Sequence, residues 1–402
     1  MHTQRLLCIV LLASLCLVAG TVPAAGNGDD KPVFLRRVGT DLLLGDRPFR
    51  IVSVNKFDLL ARFLRGGDDR TQAEQAIADA AAHGFTVIRI AGVGYYPADM
   101  TLWPNEQIFW PRYDDLLETC RKHGVRLILT INWNVYLFPD MAGECVQDML
   151  TDKDSRSRAY LWLWTHQLVS RYRDNDTVLF WELSNEINLL ADLAFMHPYG
   201  RSDANPVHLG ASHMRLPRDN YTTEQMIPYL RELAGFIRSI DPNHLISTGA
   251  ASPRPAAEHL RRAQGKGDWT EDSEAEFEIY LRDTNPDPID IISIHYYPED
   301  DNLRWGNKDK YSAAALSAMK RICDRIGKPM YIGETGDKYS ERPAAPYLAD
   351  VLRRATELDV PITLIWNWES PGDDYNVSPK TTPTVVRLME EANRRFATRP
   401  DR

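Results

Sequence analysis

The 402-residue sequence lacks the features that identify several large classes of protein. Its five cysteines do not have the spacing of a zinc site, and no G-x-G-x-x-G motif follows the first predicted strand. It has no long run of basic residues, and its net charge is −9. These absences argue against a zinc module, a nucleic-acid-binding protein and a protein that binds anionic membranes. A substrate that is neutral or of mixed charge fits the composition better.

No apolar segment reaches the ~20 residues that a membrane-spanning helix needs. The N-terminal one, Leu6 to Ala19, follows Arg5 and precedes the small-residue stretch Val22 to Ala25. This order is typical of a cleavable signal peptide, with a membrane anchor as the alternative. We predict a signal peptide over residues 1–25 and a secreted or periplasmic protein without a membrane partner after cleavage.

Few cysteines would remain in the mature chain. Cleavage removes Cys8 and Cys16 and leaves Cys120, Cys145 and Cys323, an odd number that permits at most one disulfide. Cys120 and Cys323 lie in amphipathic helical patterns, which favours burial in the core over a disulfide or a metal site.

Short segments rich in valine and isoleucine alternate with longer amphipathic segments along the rest of the chain. The eight predicted strands are Arg50–Val54, Thr86–Ala91, Arg126–Asn132, Val178–Ser184, Leu245–Ala250, Asp290–Tyr297, Met330–Thr335 and Ile362–Trp368. Helical patterns lie at 71–83, 111–123, 155–173, 223–240, 311–326, 344–358 and 381–397, whereas 251–289 is rich in proline and only patchily helical. Strict alternation with apolar strands predicts an α/β fold, a (β/α)8 TIM barrel, and an open doubly wound sheet is the rival.

The segment before the barrel, VFLRRVGTDLLLGDRPFR, alternates around Gly39 and Gly45. It predicts a short N-terminal β-hairpin extension at the bottom of the barrel. Because no linker composition follows, we predict a single catalytic barrel domain over residues 31–398.

Polar and aromatic side chains follow six of the predicted strands, at the end of the barrel where such folds carry their chemistry. They are Arg89, Asn132, Trp133, Asn185, Glu186, His295, Tyr297, Glu334 and Trp366. Glu186 and Glu334, on the fourth and seventh strands, would face each other across the barrel mouth, and the other seven are candidate substrate-binding or supporting residues. Glu182, deeper in its strand, is interpreted as a buried structural acid that pairs with a barrel neighbour.

Two facing carboxyl groups are what glycoside hydrolysis needs, provided that one keeps a proton and the other is ionised. We expect Arg89 and Tyr297 to hold Glu334 as an anion, and Glu186, next to neutral Asn185 and without an evident cation, to keep the proton. This arrangement predicts double displacement with retention and a carboxyl separation of about 5 Å.

The segments WELSNE, IHYYP, YIGETG and LIWNW resemble the signature of glycoside hydrolase family 5 and its clan of retaining barrel glycosidases. The resemblance spans the barrel and implies that Glu186 is the acid/base and Glu334 the nucleophile. By the same resemblance Asn185 contacts the sugar 2-hydroxyl, Arg89 and Tyr297 support the nucleophile, His295 lines the site, and Trp366 floors the subsite of the sugar to be cleaved.

The resemblance also bears on the substrate. The family usually has a histidine at the end of the third strand, where this chain has Asn132-Trp133-Asn134, and SIDPNHLISTGA resembles the mannan-cleaving members more than the cellulases. We therefore expect a monomeric hydrolase of β-1,4-mannan or its oligosaccharides that needs no cofactor and no metal. The alternatives are a β-1,4-glucanase, a barrel that binds sugar without cleaving it, and a metal-dependent hydrolase. The loop after the fourth strand, with His197, His208, His213, Asp192 and Asp203, is the alternative place for a metal.

Overall fold

The computed structural model of the protein describes residues 31–193, 215–264, 266–298, 301 and 303–398. The predicted signal peptide, residues 1–25, lies outside the described residues, and so do His197, His208 and His213. From Val33 onward the described residues form one compact unit.

Three short strands precede the barrel and form a small antiparallel sheet. They are β1 (Leu35–Val38), β2 (Asp41–Leu44) and β3 (Arg47–Pro48), paired in the order β1-β2-β3. Leu35 and Leu42 of this sheet are buried in one apolar cluster with Ile51, Val87 and Ile362, the first residues of three barrel strands. The predicted N-terminal extension is therefore a three-stranded sheet that covers the bottom of the barrel.

Eight parallel strands form the barrel and follow one another around it in sequence order. They are β4 (Ile51–Asn55), β5 (Val87–Ala91), β6 (Arg126–Thr130), β7 (Val178–Glu182), β8 (Leu245–Ser247), β9 (Ile292–Tyr296), β10 (Met330–Thr335) and β11 (Ile362–Ile365). The last strand pairs with the first, and a bridge between Ser247 and Ile291 joins β8 to the segment that leads into β9. The predicted (β/α)8 barrel is confirmed.

Helices surround the barrel and bury the outer face of its strands. They are α1 (Leu59–Arg65), α2 (Gly67–Ala82), α3 (Glu106–Lys122), α4 (Leu137–Ala142), α5 (Val146–Thr151), α6 (Arg156–Tyr172), α7 (Thr223–Ile240), α8 (Ala257–Ala263), α9 (Glu274–Thr284), α10 (Ala314–Ile326), α11 (Pro346–Glu357) and α12 (Pro383–Ala397). Every residue of β4, β5, β7, β9 and β10 is buried. Burial on both faces explains why the sequences of these strands are mostly apolar and do not alternate with polar residues. Among the described helices, none has the length and apolarity to cross a membrane.

Two kinds of boundary differ from the sequence prediction. The short helices α1, α4, α5 and α8 lie in connections for which no clear helical pattern was identified, because six or seven residues show too few turns of periodicity. Four barrel strands end two or three residues earlier than predicted, at Thr130, Glu182, Ser247 and Ile365. Asn132, Asn185, Glu186 and Trp366 are consequently loop residues, and strand alternation does not set the direction of their side chains.

The cysteines are structural. Cys120, Cys145 and Cys323 are all buried, and Cys120 and Cys323 lie on α3 and α10 as core residues. No disulfide forms among these three residues.

Candidate active site

A cavity of about 520 Å³ opens at the C-terminal ends of the barrel strands. It is lined by Glu186, Tyr297, Pro298, Glu334, Lys338, Glu341, Arg342, Trp366 and Tyr375. Both predicted catalytic carboxyl groups therefore face one space. A second cavity, of about 550 Å³, lies beside Thr101 to Gln107 and contains a single carboxylate, Glu106.

Glu186 is positioned by a turn that follows β7. Its backbone has a left-handed φ of 50°, and its N–H donates to the Gly249 carbonyl at 2.9 Å. Gly249 itself has a φ of +68°, and a Cβ at this position would lie 1.8 Å from the carbonyl oxygen of Ser184. Only glycine fits, so the loop after β8 can approach closely enough to fix the Asn185-Glu186 backbone.

Glu334 is the next-to-last residue of β10, and both of its carboxylate oxygens accept hydrogen bonds. Nη1 of Arg89 donates to Oε1 at 2.7 Å, and the Tyr297 hydroxyl donates to Oε2 at 3.0 Å. The preceding residue is Gly333, where a Cβ would lie 2.9 Å from Nε2 of His295. The absence of a side chain there leaves room for the imidazole ring between the two carboxyl groups.

His295 connects the two acids. Its Nδ1 is 2.8 Å from Oε1 of Glu186 and 3.6 Å from Oε2 of Glu334. One oxygen of Glu186 and one oxygen of Glu334 lie within 4.8 Å of each other. This separation is far below the roughly 6.5–9.5 Å at which a water molecule fits between the carboxyl groups of an inverting glycosidase.

Arg89 is fully buried, and its guanidinium group donates hydrogen bonds to several residues beneath the cavity. Besides Glu334, it donates from Nε to Glu182 at 2.6 Å, from Nη1 to Asn55 at 3.2 Å and from Nη2 to Asn185 at 2.8 Å. Burial lowers the pKa of Arg89, but the two carboxylates outweigh this effect and raise it. The guanidinium group therefore stays charged beneath the cavity.

Glu182 lies below the cavity and is fully buried. It accepts from Arg89, from the Thr130 hydroxyl at 2.5 Å and from the Tyr331 hydroxyl. This agrees with the interpretation of Glu182 as a buried acid that pairs with neighbours inside the barrel.

The protonation order of the two cavity acids differs from the expectation. Burial would raise the pKa of Glu186, but the hydrogen bond from His295 outweighs it and the pKa is lowered. Burial, together with the negative charge of Glu186, raises the pKa of Glu334 against the opposing charges of His295 and Arg89. The sequence argument placed Glu186 beside neutral Asn185 alone, whereas the barrel brings His295 into hydrogen-bond contact with it from a strand 109 residues further along the chain.

Two tryptophans lie beside the carboxyl groups but differ in exposure. Trp133 is 4% exposed, and the Arg89 guanidinium lies 4.5 Å above its ring. Trp366 is partly exposed, lines the cavity and stacks on Phe57 with ring centroids 5.5 Å apart. Trp366 therefore offers the aromatic face that a sugar ring can contact, whereas Trp133 supports Arg89 from below.

Asn132 is the one predicted site residue that the structure directs elsewhere. It is buried, and its Nδ2 donates at 3.4 Å to the hydroxyl of Tyr229 on α7. Because β6 ends at Thr130, the alternation that would have turned Asn132 toward the cavity no longer applies.

Several residues of the site were not identified from the sequence. Asn55, which also donates to the Gly333 carbonyl at 3.0 Å, is the last residue of β4, and the first predicted strand stopped one residue before it. A strand-end search that extended one residue further would have found it. Phe57 and the cavity residues Lys338, Glu341, Arg342 and Tyr375 lie on loops, and no local pattern indicates which way a loop turns.

Two groups of acidic and imidazole side chains in the described residues are close enough to share a metal ion. They are Glu186-His295-Glu334 and His259-Asp272-Glu276. In the first group the guanidinium of Arg89 lies 2.7 Å from Glu334 and would repel a second cation.

Comparison with known proteins assigns the chain a family and close structural counterparts. The family model "Cellulase (glycosyl hydrolase family 5)" matches residues 52–372. Among curated proteins, mannan endo-1,4-beta-mannosidase 2 of Oryza sativa subsp. japonica is 24% identical over 409 residues, which cover 90% of this chain and 84% of that protein. Mannan endo-1,4-beta-mannosidase 3 of Arabidopsis thaliana is 21% identical over 436 residues, with 98% and 97% covered.

Solved structures share the fold. The endo-1,4-beta-mannanase from Rhizomucor miehei matches with a TM-score of 0.64 and 18% sequence identity, covering 91% of this chain and all of that one. The endo-beta-1,4-mannanase from Thermotoga petrophila matches with a TM-score of 0.60 and 17% identity, covering 87% of this chain and 77% of that one.

Proposed function

The chain belongs to the cellulase family, glycosyl hydrolase family 5, and we propose that it hydrolyses β-1,4-linked mannan by double displacement with net retention. Membership of the family makes it a glycoside hydrolase. The observation that carries the mechanism is the approach of Glu186 and Glu334 within 4.8 Å across one cavity, with Nδ1 of His295 in contact with both. That spacing suits direct attack by a carboxylate rather than by an interposed water molecule.

In the first step the Glu334 carboxylate attacks the anomeric carbon, while Glu186 donates its proton to the leaving glycosidic oxygen. Arg89 and Tyr297 hold the attacking carboxylate in place through hydrogen bonds to its two oxygens. Trp366 supports the sugar ring at the cavity floor. The products of the step are a glycosyl ester on Glu334 and a free alcohol on the departing sugar.

In the second step Glu186, now a carboxylate, takes a proton from water, and the resulting nucleophile attacks the same anomeric carbon. The ester bond breaks, Glu334 leaves as a carboxylate, and the anomeric configuration is restored. Asn185, held by Nη2 of Arg89 at 2.8 Å, is placed to bind the 2-hydroxyl group of the sugar during both steps.

The reaction requires the single proton of the acid pair to be on Glu186. In the protein without a sugar, the lowered pKa of Glu186 and the raised pKa of Glu334 favour the opposite location. Nδ1 of His295 lies 2.8 Å from an oxygen of Glu186 and 3.6 Å from an oxygen of Glu334, so the imidazole stands beside both carboxyl groups between which the proton is redistributed when substrate enters.

Mannan is the proposed substrate because the rice and Arabidopsis relatives are mannan endo-1,4-beta-mannosidases that align over most of the chain. A β-1,4-glucanase is the second candidate, since the matching family model is that of the cellulases. Product analysis on mannan, β-glucan and xylan separates the two candidates. We also propose that the enzyme is monomeric and has one catalytic domain, residues 31–398. We propose further that it is secreted after removal of residues 1–25, and N-terminal sequencing of the exported protein tests this cleavage.

The catalytic assignment is tested by Glu334→Gln. The variant keeps the shape of the side chain but loses the nucleophile. Turnover should fall by at least about a thousandfold, as is typical when an essential catalytic group is removed, whereas binding of mannan oligosaccharides, measured by calorimetry, should persist. A Gln variant with near-normal turnover would refute the assignment. A wild-type protein that binds oligosaccharides but releases no reducing ends would indicate a sugar-binding barrel, and loss of wild-type activity in chelator would indicate a metal-dependent hydrolase.

A further inference from the structure

Besides Pro298, four residues that line the cavity have no role in the steps above. Lys338, Glu341 and Arg342 lie on the loop after β10, and Tyr375 lies on the loop after β11. We refer to these four residues as the cleft wall. They share the cavity with Glu186 and Glu334 and therefore border the space that the substrate enters.

The loop after β10 is held in shape by a buried acid. Asp337 is fully buried and accepts from Nε of Arg342 with both carboxylate oxygens, at 2.9 and 3.0 Å. It also accepts from the backbone N–H of Lys338 at 2.8 Å. One buried carboxylate thus holds both the Lys338 backbone and the Arg342 side chain, which limits the conformations of this loop before a ligand binds.

A second set of contacts joins this loop to the loop after β11. The backbone N–H of Tyr339 donates to the Asp374 carbonyl at 3.0 Å, and the Ser340 hydroxyl donates to the Asp374 carboxylate at 3.2 Å. The ring of Tyr375 packs edge-on against Tyr297, with centroids 5.9 Å apart. The cleft wall is thus continuous with the hydroxyl group that supports Glu334.

The polar ends of the wall are available to a ligand. The side chains of Lys338 and Glu341 are 44% and 57% exposed, and the Lys338 ammonium is 3.9 Å from Oε1 of Glu341, too far for a hydrogen bond. A donor and an acceptor therefore stand side by side on the cavity surface. Each sugar hydroxyl both donates and accepts, so one of two adjacent hydroxyls can accept from Lys338 while the other donates to Glu341.

We propose that Lys338 and Glu341 together bind two adjacent hydroxyl groups of the sugar unit next to the scissile bond. The proposal rests on the proposed function, because the ligand is the carbohydrate that Glu186 and Glu334 act on. It assigns to the cleft wall a neutral polyhydroxyl ligand rather than an anionic one, since Glu341 and the Arg342-Asp337 pair leave the wall without excess positive charge.

The experiment compares Lys338→Met and Glu341→Ala with wild type on mannan oligosaccharides and on whichever β-glycan the wild type hydrolyses best. Lys380→Met is the matched control, because Lys380 is an exposed lysine of the neighbouring loop that does not line the cavity. Each cleft-wall variant should raise KM about tenfold, because it loses one charge-assisted hydrogen bond to the sugar, and should keep kcat within about twofold of wild type. The control should change neither constant.

Binding is measured separately in proteins that also carry Glu334→Gln, by calorimetry with a mannan oligosaccharide. Addition of Lys338→Met or Glu341→Ala should weaken this affinity by the same factor of about ten. If both variants keep the wild-type KM and affinity while the wild type cleaves glycan, the inference is overturned and the proposed function stands. If the wild type releases no reducing ends from any glycan, the proposed function falls and this inference falls with it.

Discussion

The sharpest test of the charge arrangement in this barrel is Glu182→Gln. Glu182 and Glu334 bind the same guanidinium group, at 2.6 Å from Nε and 2.7 Å from Nη1 of Arg89. Gln keeps the size of the side chain and an oxygen for Arg89, but removes one of the two negative charges that Arg89 balances. Glu182 is fully buried and does not line the cavity, so the substitution does not change the surface that contacts substrate.

The sign and size of the effect follow from electrostatics. Two carboxylates on either side of one guanidinium repel each other by roughly 2 kcal/mol at an effective dielectric constant of about 20. Removal of that repulsion lowers the pKa of Glu334 by between one and two pH units, on the order of 1.4 kcal/mol each. Because Glu334 holds the proton of the acid pair in the free enzyme, its pKa sets the basic limb of the kcat/KM profile, and this limb moves to lower pH by about one unit or more.

The assay is the pH dependence of kcat/KM, which reports ionisation in the free enzyme. Thr130→Val is the matched control, since it removes the Thr130 hydrogen bond to the same carboxylate and leaves every charge in place. Thr130→Val should lower the melting temperature, because it loses a hydrogen bond worth about 1 kcal/mol, and should leave the basic limb in place. If the basic limbs of Glu182→Gln and Thr130→Val coincide, the shared-guanidinium reasoning is wrong.

Two further substitutions test the positioning of Glu186. His295→Ala removes the hydrogen-bond partner that lowers the pKa of Glu186, so this pKa should rise. The acid limb of the kcat/KM profile, which Glu186 sets in the free enzyme, should then move to higher pH, and an unmoved acid limb would contradict the pairing. Gly249→Ala places a methyl group 1.8 Å from the Ser184 carbonyl oxygen. This variant should lower kcat at least tenfold and reduce the free energy of unfolding, measured in a denaturant titration, by roughly 1–3 kcal/mol. Gly235→Ala, which has open space around the new Cβ, should do neither, and equal behaviour of the two alanine variants would count against the loop contact.

The fold and the position of the two predicted acids were accessible from the sequence because both depend on local patterns. Apolar strands that alternate with amphipathic helices require a sheet buried on both faces, and eight such units close into a barrel. Glu186 follows β7 and Glu334 lies at the end of β10, so barrel closure alone was sufficient to bring them to the same end. The confirmed barrel rests on this reasoning, and the confirmed family on the motifs at the strand ends.

The differences concern contacts between residues that are distant in the chain. The sequence argument did not pair Glu186 with His295, since the two are 109 residues apart and only the closed barrel brings them together. It also listed Asn132 as a site residue, since it carried β6 two residues too far, whereas Asn132 contacts Tyr229 on α7. Local patterns do not contain either contact.

The sequence by itself determined the order of the βα units, the apolar layers between them and the chemical types available at the strand ends. Only the tertiary structure decided which of these groups touch. Arg89 and Glu334 are 245 residues apart, yet one guanidinium divides its hydrogen bonds between Glu334, Glu182 and Asn185. The physical reason is that proton affinity and hydrogen bonding depend on separations of a few ångströms in a buried environment, and those separations exist only once the barrel has closed.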